Sequence, residues 1–291
     1  MSVGGEVPFK AGSLPSQRIA DPRENGLLQA LPPTAYAILK HHLRLREFGQ
    51  GRVLWNAGDR PEQLYFPLSG LISMRVPTTE GYGIETGSVS REGVAGIEQM
   101  LGAGAAVTFG VAQVGGIYTT IDREIFVQAM HQNRTIAELA RLSQQWILRQ
   151  AQQMAACNAA HSAETRLCRW LLLVSDRTGN PTIPSTQESI ADALGLRRTT
   201  ITLLTHGLEA AGAIHNTRGK INIRNRALLQ NGACSCCDKL GWNNWPSNRL
   251  AALTQPALHE MDSINSQKLE HGPEKWNRFS EKDHAQTKVR P

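Results

Sequence analysis

The sequence predicts an α+β protein in three parts. These are an N-terminal antiparallel β-roll of the double-stranded β-helix or jelly-roll type, a long dimerisation helix, and a C-terminal winged helix-turn-helix. Three observations carry that expectation. Between Leu45 and Asp122 short apolar runs alternate with glycines. From Asn133 to Cys157 there is neither Gly nor Pro. From Ser185 to Glu209 the chain reads as two amphipathic helices divided by Gly195.

Taken in order, residues 1–24 mix Gly, Pro and Ser without an apolar period and are expected to be disordered. Asn25 is placed to cap a short helix carrying Leu27, Leu28 and Leu31; Pro32-Pro33 interrupts it, and helical spacing resumes from Ala35 to Leu43. The sensor-sized part spans 25–131. Within it Val53-Leu54-Trp55, Leu64-Tyr65-Phe66, Leu71-Ile72-Ser73-Met74 and Gly110 to Val114 read as strands. Gly49, Gly51, Gly58, Gly70, Gly81, Gly83 and Gly87 are read as the bends of a roll. Asp122 then caps a return helix through Phe126 and Met130.

Residues 132–157 form the long helix. Its apolar stripe is narrow and diluted with glutamines, which points to pairing with a second copy through Ile136, Leu139, Trp146, Ile147 and Met154. A connector packed on the roll fits the same pattern nearly as well.

The last folded part, 158–240, opens with a helix over Glu164 to Asp176 whose inner side is Leu167, Trp170, Leu171 and Val174. Ser185 and Glu188 have capping-box spacing and predict the start of the next helix. Ile190, Ala191 and Leu194 give it one apolar face, and Gly195 supplies the sharp turn. In the following helix Ile201, Leu204 and Leu208 point inward, leaving Arg197, Arg198, Thr199, Thr200 and Thr202 outward. Gly212 to Ile223 then reads as two short strands about Gly219, a wing with Arg218 and Lys220 at its tip. This pattern suits double-stranded DNA, with the second helix in the major groove and the wing on phosphates. The candidate DNA-binding residues are Thr186, Gln187, Arg197, Arg198, Thr199, Thr200, Thr202, His206, Arg218 and Lys220.

Charge follows the same division. Residues 1–131 hold 11 Lys/Arg against 12 Asp/Glu, a net of −1, whereas 132–184 (6 against 3) and 185–240 (7 against 4) are each +3. A near-neutral front and a basic middle match a sensing half joined to a nucleic-acid-binding half. No 18-residue apolar window and no secretory leader pattern are present, and five cysteines are not a secreted disulfide framework. A cytoplasmic protein without membrane contact is expected.

This order of parts resembles the Crp/Fnr family of bacterial transcription regulators over about residues 25–240. The most specific matches are Gly51-Arg-Val53-Leu54 with Gly58, Tyr65-Phe66-Pro67 with Gly70, Arg91-Glu92-Gly93, Arg166-Leu-Cys-Arg169-Trp170, and the helix-turn-helix. The resemblance implies a homodimer on a palindromic operator with half-sites one helical turn apart, and RNA polymerase as a partner if the protein activates.

Departures from the family sharpen the expectation. Cyclic-nucleotide-binding members place an Arg and a hydroxyl residue downstream of a Gly-Glu pair to hold the phosphate. Here Arg91, Glu92 and Gly93 mark a candidate ligand pocket, but Ala105 to Gly110 contains no Arg. Usual cyclic AMP binding is therefore not expected. An iron–sulfur sensor needs cysteines that residues 1–156 lack, and His41, His42 and His131 are a poor basis for haem. No cofactor is expected. In the recognition helix Arg198 matches the family's first Arg, while Thr199 and Leu203 replace its Glu and second Arg, so a different half-site is expected.

The alternatives fare less well. A cupin-type enzyme needs several His within the roll, and none lies between Leu45 and Asp122. No catalytic constellation has motif support, so no catalytic residue is assigned. A cyclic-nucleotide-responsive protein acting through a protein partner is the runner-up. Cys234-Ser-Cys236-Cys237 has no neighbouring pair to complete a tetrahedral set, with His215 the nearest candidate in sequence, and no metal site is assigned. Residues 241–291 are polar, without period, and expected to be disordered.

Overall fold

The computed structural model describes residues 20–236 apart from 80, 82 and 100–103. The expected disorder of residues 1–24 and 241–291 and the position of Cys237 therefore fall mostly or wholly outside the described residues.

A single 3-10 turn, Pro22–Glu24, leads into α1 (Gly26–Ala30) and α2 (Pro33–Lys40). Asn25 caps α1 as expected, its side-chain oxygen accepting from the Leu27 and Leu28 amides at 3.0 and 3.3 Å. Its amide group donates to the Pro67 and Gly93 carbonyls, so this one buried residue also sews the N-terminal helices onto the roll.

The roll contains β1 (Arg44–Phe48), β2 (Val53–Trp55), β3 (Gln63–Pro67), β4 (Leu71–Pro77), β5 (Gly83–Val89), β6 (Phe109–Val114) and β7 (Gly116–Asp122). They form two antiparallel sheets, ordered β1-β7-β3 and β2-β6-β4-β5. Gly51, Gly58, Gly70 and Gly81 turn the chain at positive φ. Gly83 and Gly87 do not; they lie within β5, where a Cβ at Gly83 would run into the Phe109 ring and one at Gly87 would stand 3.0 Å from Met74. Their smallness makes room for side chains of the facing strands. Inside the roll Trp55 stacks on Tyr65 with centroids 5.8 Å apart, among Ile72, Met74, Val89 and Tyr118.

Helix α3 (Arg123–Gln132) follows with Asp122 at its N-cap position. The Asp122 side chain caps nothing and accepts from the Gln63 side-chain amide instead. Asn133 provides the next cap, accepting from the Thr135 and Ile136 amides at the start of α4 (Arg134–Ala160). At 27 residues α4 is longer than the sequence pattern marks.

The winged helix comprises α5 (Ala163–Thr178), β8 (Thr182–Pro184), α6 (Gln187–Leu194), α7 (Arg198–Ala210), β9 (Ile214–Thr217), β10 (Lys220–Ile223) and α8 (Arg226–Gly232). Its three strands form one antiparallel sheet ordered β8-β10-β9. Leu167, Trp170, Leu171 and Val174 of α5 pack with Ile190, Ala191, Leu194, Ile201 and Leu208 as one core, joined by Leu71 and Val114 of the roll. Among the described residues no helix is long and apolar enough to cross a membrane.

Candidate nucleic-acid interface

The helix-turn-helix closes as its residue pattern demands. Thr186, one residue later than the Ser185 start expected from capping-box spacing, caps α6 by accepting from the Ser189 amide at 3.1 Å. Ser185 is buried instead, its amide donating to Gly219 O of the wing and its hydroxyl accepting from Gln113 of the roll. Gly195 ends α6 at φ 61°, and a Cβ there would also press on Ile84 of the roll at 3.1 Å. Two constraints thus converge on one glycine.

Helix α7 buries Ile201, Thr205 and Leu208, with Leu204 half-buried against the same core. Thr205, which the apolar spacing misses, hides its hydroxyl by donating to the Ile201 carbonyl at 2.9 Å. The opposite face exposes Arg197, Arg198, Thr199, Leu203 and His206, while Thr200 is half-buried. Thr202 departs from the outward assignment. Its hydroxyl donates to Gln187 Oε1 at 2.7 Å, so Thr202 and Gln187 clamp the two helices together. Arg198 is 68 % exposed, with its guanidinium 3.8 Å from Glu188.

The wing stands beside this face. Gly219, at φ 76°, turns β9 into β10 and leaves Arg218 and Lys220 exposed on either side. Glu209 at the end of α7 fastens the wing, accepting from the Asn216 amide at 2.9 Å and meeting His215 Nδ1 at 3.0 Å. Those contacts, the Asn216 hydrogen bond first, hold the Glu209 carboxyl below its ordinary range. Between wing and helices lies an open cleft of about 510 Å³, lined among others by Thr186, Gln187, Arg198 and Arg218.

A second set of polar residues joins α6 to the roll. Arg75, 5 % exposed, donates to Ser73 Oγ at 3.0 Å and to Gln113 Oε1 at 2.5 Å. Its guanidinium reaches α6 at Ser189 and, at 3.9 Å, at Asp192. Ser73 in turn donates to the buried Glu85 at 2.6 Å. Burial pushes the Glu85 carboxyl up, and Ser73 and Arg75 pull it back.

Arg91, Glu92 and Gly93, the candidate pocket, take part in contacts that hold the turn in place. Glu92 pairs with Arg177 of α5 at 3.3 Å and accepts from the Ser90 amide, while the Arg91 carbonyl accepts from Gly26. A Cβ at Gly93 would sit 3.0 Å from Val89. This turn is a structural joint, with Arg177 also donating to Ser88.

The residues read as a dimer seam lie elsewhere too. Ile136, Leu139, Trp146 and Met154 are buried within the single chain, and Ile147 is half-buried. The N-terminal half of α4 packs with α1, α2, α3 and β3 in one core. An amphipathic stripe shows which face is covered but not by what. The outward face of α4 instead carries Arg141, Gln145, Leu148, Gln152, Ala155 and Ala159, at alternating spacings of four and three.

His215, paired with Glu209, is not the residue that meets the cysteine run. Cys234 and Cys236 approach Cys157 and His161 at the end of α4. Nothing local in sequence announces that meeting.

Comparison with known proteins places this architecture. Residues 165–231 match the model of the Crp-like helix-turn-helix domain. A Crp/Fnr-family transcriptional regulator structure from Eubacterium rectale aligns at TM-score 0.59 and 18 % identity, over 72 % of this chain and 98 % of that one. FixK2 from Bradyrhizobium japonicum aligns at TM-score 0.56 and 17 % identity, over 66 % and 98 %. The c-di-GMP-responsive regulator CLP from Xanthomonas campestris aligns at 0.55 and 15 % identity, over 66 % and 99 %. No curated protein matches the sequence. The chain thus carries a Crp-like helix-turn-helix domain and has the fold of the Crp/Fnr transcription regulators.

Proposed function

We propose that the protein is a sequence-specific DNA-binding transcription regulator that acts as a homodimer on a palindromic operator. The observation that carries this reading is the outward face of α7, with Arg197, Arg198 and Thr199 exposed beside a wing bearing Arg218 and Lys220. A guanidinium can pair bidentately with guanine O6 and N7, and threonine methyls suit thymine. The cleft between wing and helices gives the duplex backbone a seat, with the Thr186 end of α6 on one side and Arg218 on the other. Thr202 and Gln187, tied to each other, set the angle of α7. Because Arg198 rests near Glu188 in the free protein, DNA entry exchanges that exposed pair for a base contact.

The roll is a poor receptor for cyclic AMP in the usual way. No Arg stands between Ala105 and Gly110, and Glu92 is already paired with Arg177. Roll and reader communicate instead through the Arg75–Ser189–Asp192 contact.

For dimerisation, the heptad-like outward face of α4 replaces the buried stripe as the proposed seam, with Leu148, 57 % exposed, at its centre. L148E is expected to raise the dimer dissociation constant at least about tenfold, equivalent to ~1.4 kcal/mol, in sedimentation equilibrium. An unchanged dimer would move the seam off this face. The reading includes no catalytic step, places the protein in the cytoplasm, and makes RNA polymerase a partner if it activates. Genomic footprinting in cells tests the whole: an inverted-repeat motif under the bound sites is expected, and its absence would overturn the dimeric-operator model.

A further inference from the structure

Cys157, His161, Cys234 and Cys236 bring three sulfurs and one imidazole nitrogen together, all within 4.8 Å of one another. Cys157 lies in the last turn of α4 and His161 is the extended residue that ends it, its amide donating to the Cys157 carbonyl at 3.1 Å, so the helix end holds the two close together. Cys234 and Cys236 follow immediately on α8, whose Gly232 packs against Cys168 of α5. His161 Nε2 already lies 3.2 Å from Cys236 Sγ. We infer that these four residues form a tetrahedral Cys3His site for a thiophilic divalent cation of the zinc class.

The donor chemistry and the size agree. Zinc takes Cys3His in closed structural sites, with Zn–S about 2.3 Å and Zn–N about 2.0 Å, which sets the corners of the tetrahedron roughly 3.5–3.8 Å apart. A spread of 4.8 Å needs only a small inward movement of side chains. Iron–sulfur cages hold their thiolates further apart, around several metal atoms, so a mononuclear ion fits this spacing better. Loading displaces a proton from each of the three thiols and leaves imidazole neutral, so occupancy falls as pH drops. Cys157 is buried while the other three ligands are half-buried, which leaves the ion a way in. The clasp would join the end of the long helix to the chain just beyond the winged helix, across the α4–α5 junction at Ser162.

The test uses the full chain, purified reduced, with metal content by mass spectrometry and Co2+ substitution read by visible absorption. About one zinc per chain is expected, and Co2+ should give intense tetrahedral ligand-field bands with thiolate charge transfer in the near ultraviolet. C236S and H161N, at half-buried positions, should lose stoichiometric retention and shift the cobalt spectrum while circular dichroism keeps the native helix signal. C237S should change neither. Three results would overturn the assignment: no retained metal with octahedral cobalt bands, rapid re-formation of a disulfide among these cysteines that excludes metal once reductant is removed, or loss of metal in C237S but not in C236S. Because the readout is metal rather than DNA, this inference and the proposed function can fail independently.

Discussion

The joint between the roll and the winged helix, and the outward face of α7, use arginine in opposite ways. Arg75 and Arg177 are 5 % and 8 % exposed; Arg75 reaches Ser189 and Asp192 of α6 from the roll, and Arg177 reaches Ser88 and Glu92 of the roll from α5. Arg198 is 68 % exposed, with one distant acidic neighbour. A buried guanidinium is costly unless its donors are filled, so it fixes a joint. An exposed one is cheap to hold and free to change partners, so it suits recognition. Residue type alone does not separate the two roles; what surrounds each side chain does.

The largest effect should come from breaking the joint. Arg75→Ala would leave Glu85 buried without the Arg75 charge that favours its ionised form and cut the contact to α6, costing roughly 3 kcal/mol or more in urea unfolding. An effect within the usual scatter of surface substitutions would show that the joint is unimportant. Arg198→Ala should leave stability unchanged yet cost about 1–3 kcal/mol in binding the best operator, with preference relaxed at one base pair, in competition anisotropy. Equal weakening on every sequence would make Arg198 a phosphate contact. Removing Arg218 and Lys220 together should do just that: affinity falls on all duplexes and the log–log salt slope drops by about 0.9 per residue that contacts a phosphate.

The smallest expected effect is in pH. Glu209 has its carboxyl depressed by the Asn216 amide and by His215, so its contribution is present at neutral pH, above the unfolded value. That contribution is lost as pH falls through the depressed folded value. Glu209→Gln should therefore flatten the acid side of the stability profile and loosen the wing in hydrogen exchange. If the mutant and parent profiles run parallel, the carboxylate is not what fastens the wing.

Much of this was legible in the residues because it is local. The Asn25 cap, the turn at Gly195, the inward Ile201 and Leu208 and the wing around Gly219 all depend on neighbours a few positions away. The residues say less where the deciding partner is distant. Apolar Ile136, Leu139, Trp146 and Met154 declared a covered face, but the cover is the chain's own. Glu92 sits beside Arg91 in sequence, where the pattern suggests a ligand pocket, but its charge is met by Arg177 of α5. The Cys234–Cys236 run has no partner nearby in sequence, and only the fold brings Cys157 and His161 to it. Glycines carried both kinds of information: Gly70 turns the chain at positive φ, while Gly83 yields space to a ring on another strand.

The most direct test of the account is selection of bound duplexes from a random pool by the full-length protein. Enrichment of an inverted repeat with half-site centres about 10–10.5 base pairs apart, lost when Arg198 is replaced, is the predicted result. Binding that selects no inverted repeat, or a repeat unchanged in Arg198→Ala, would contradict the assignment of α7 as the reading element.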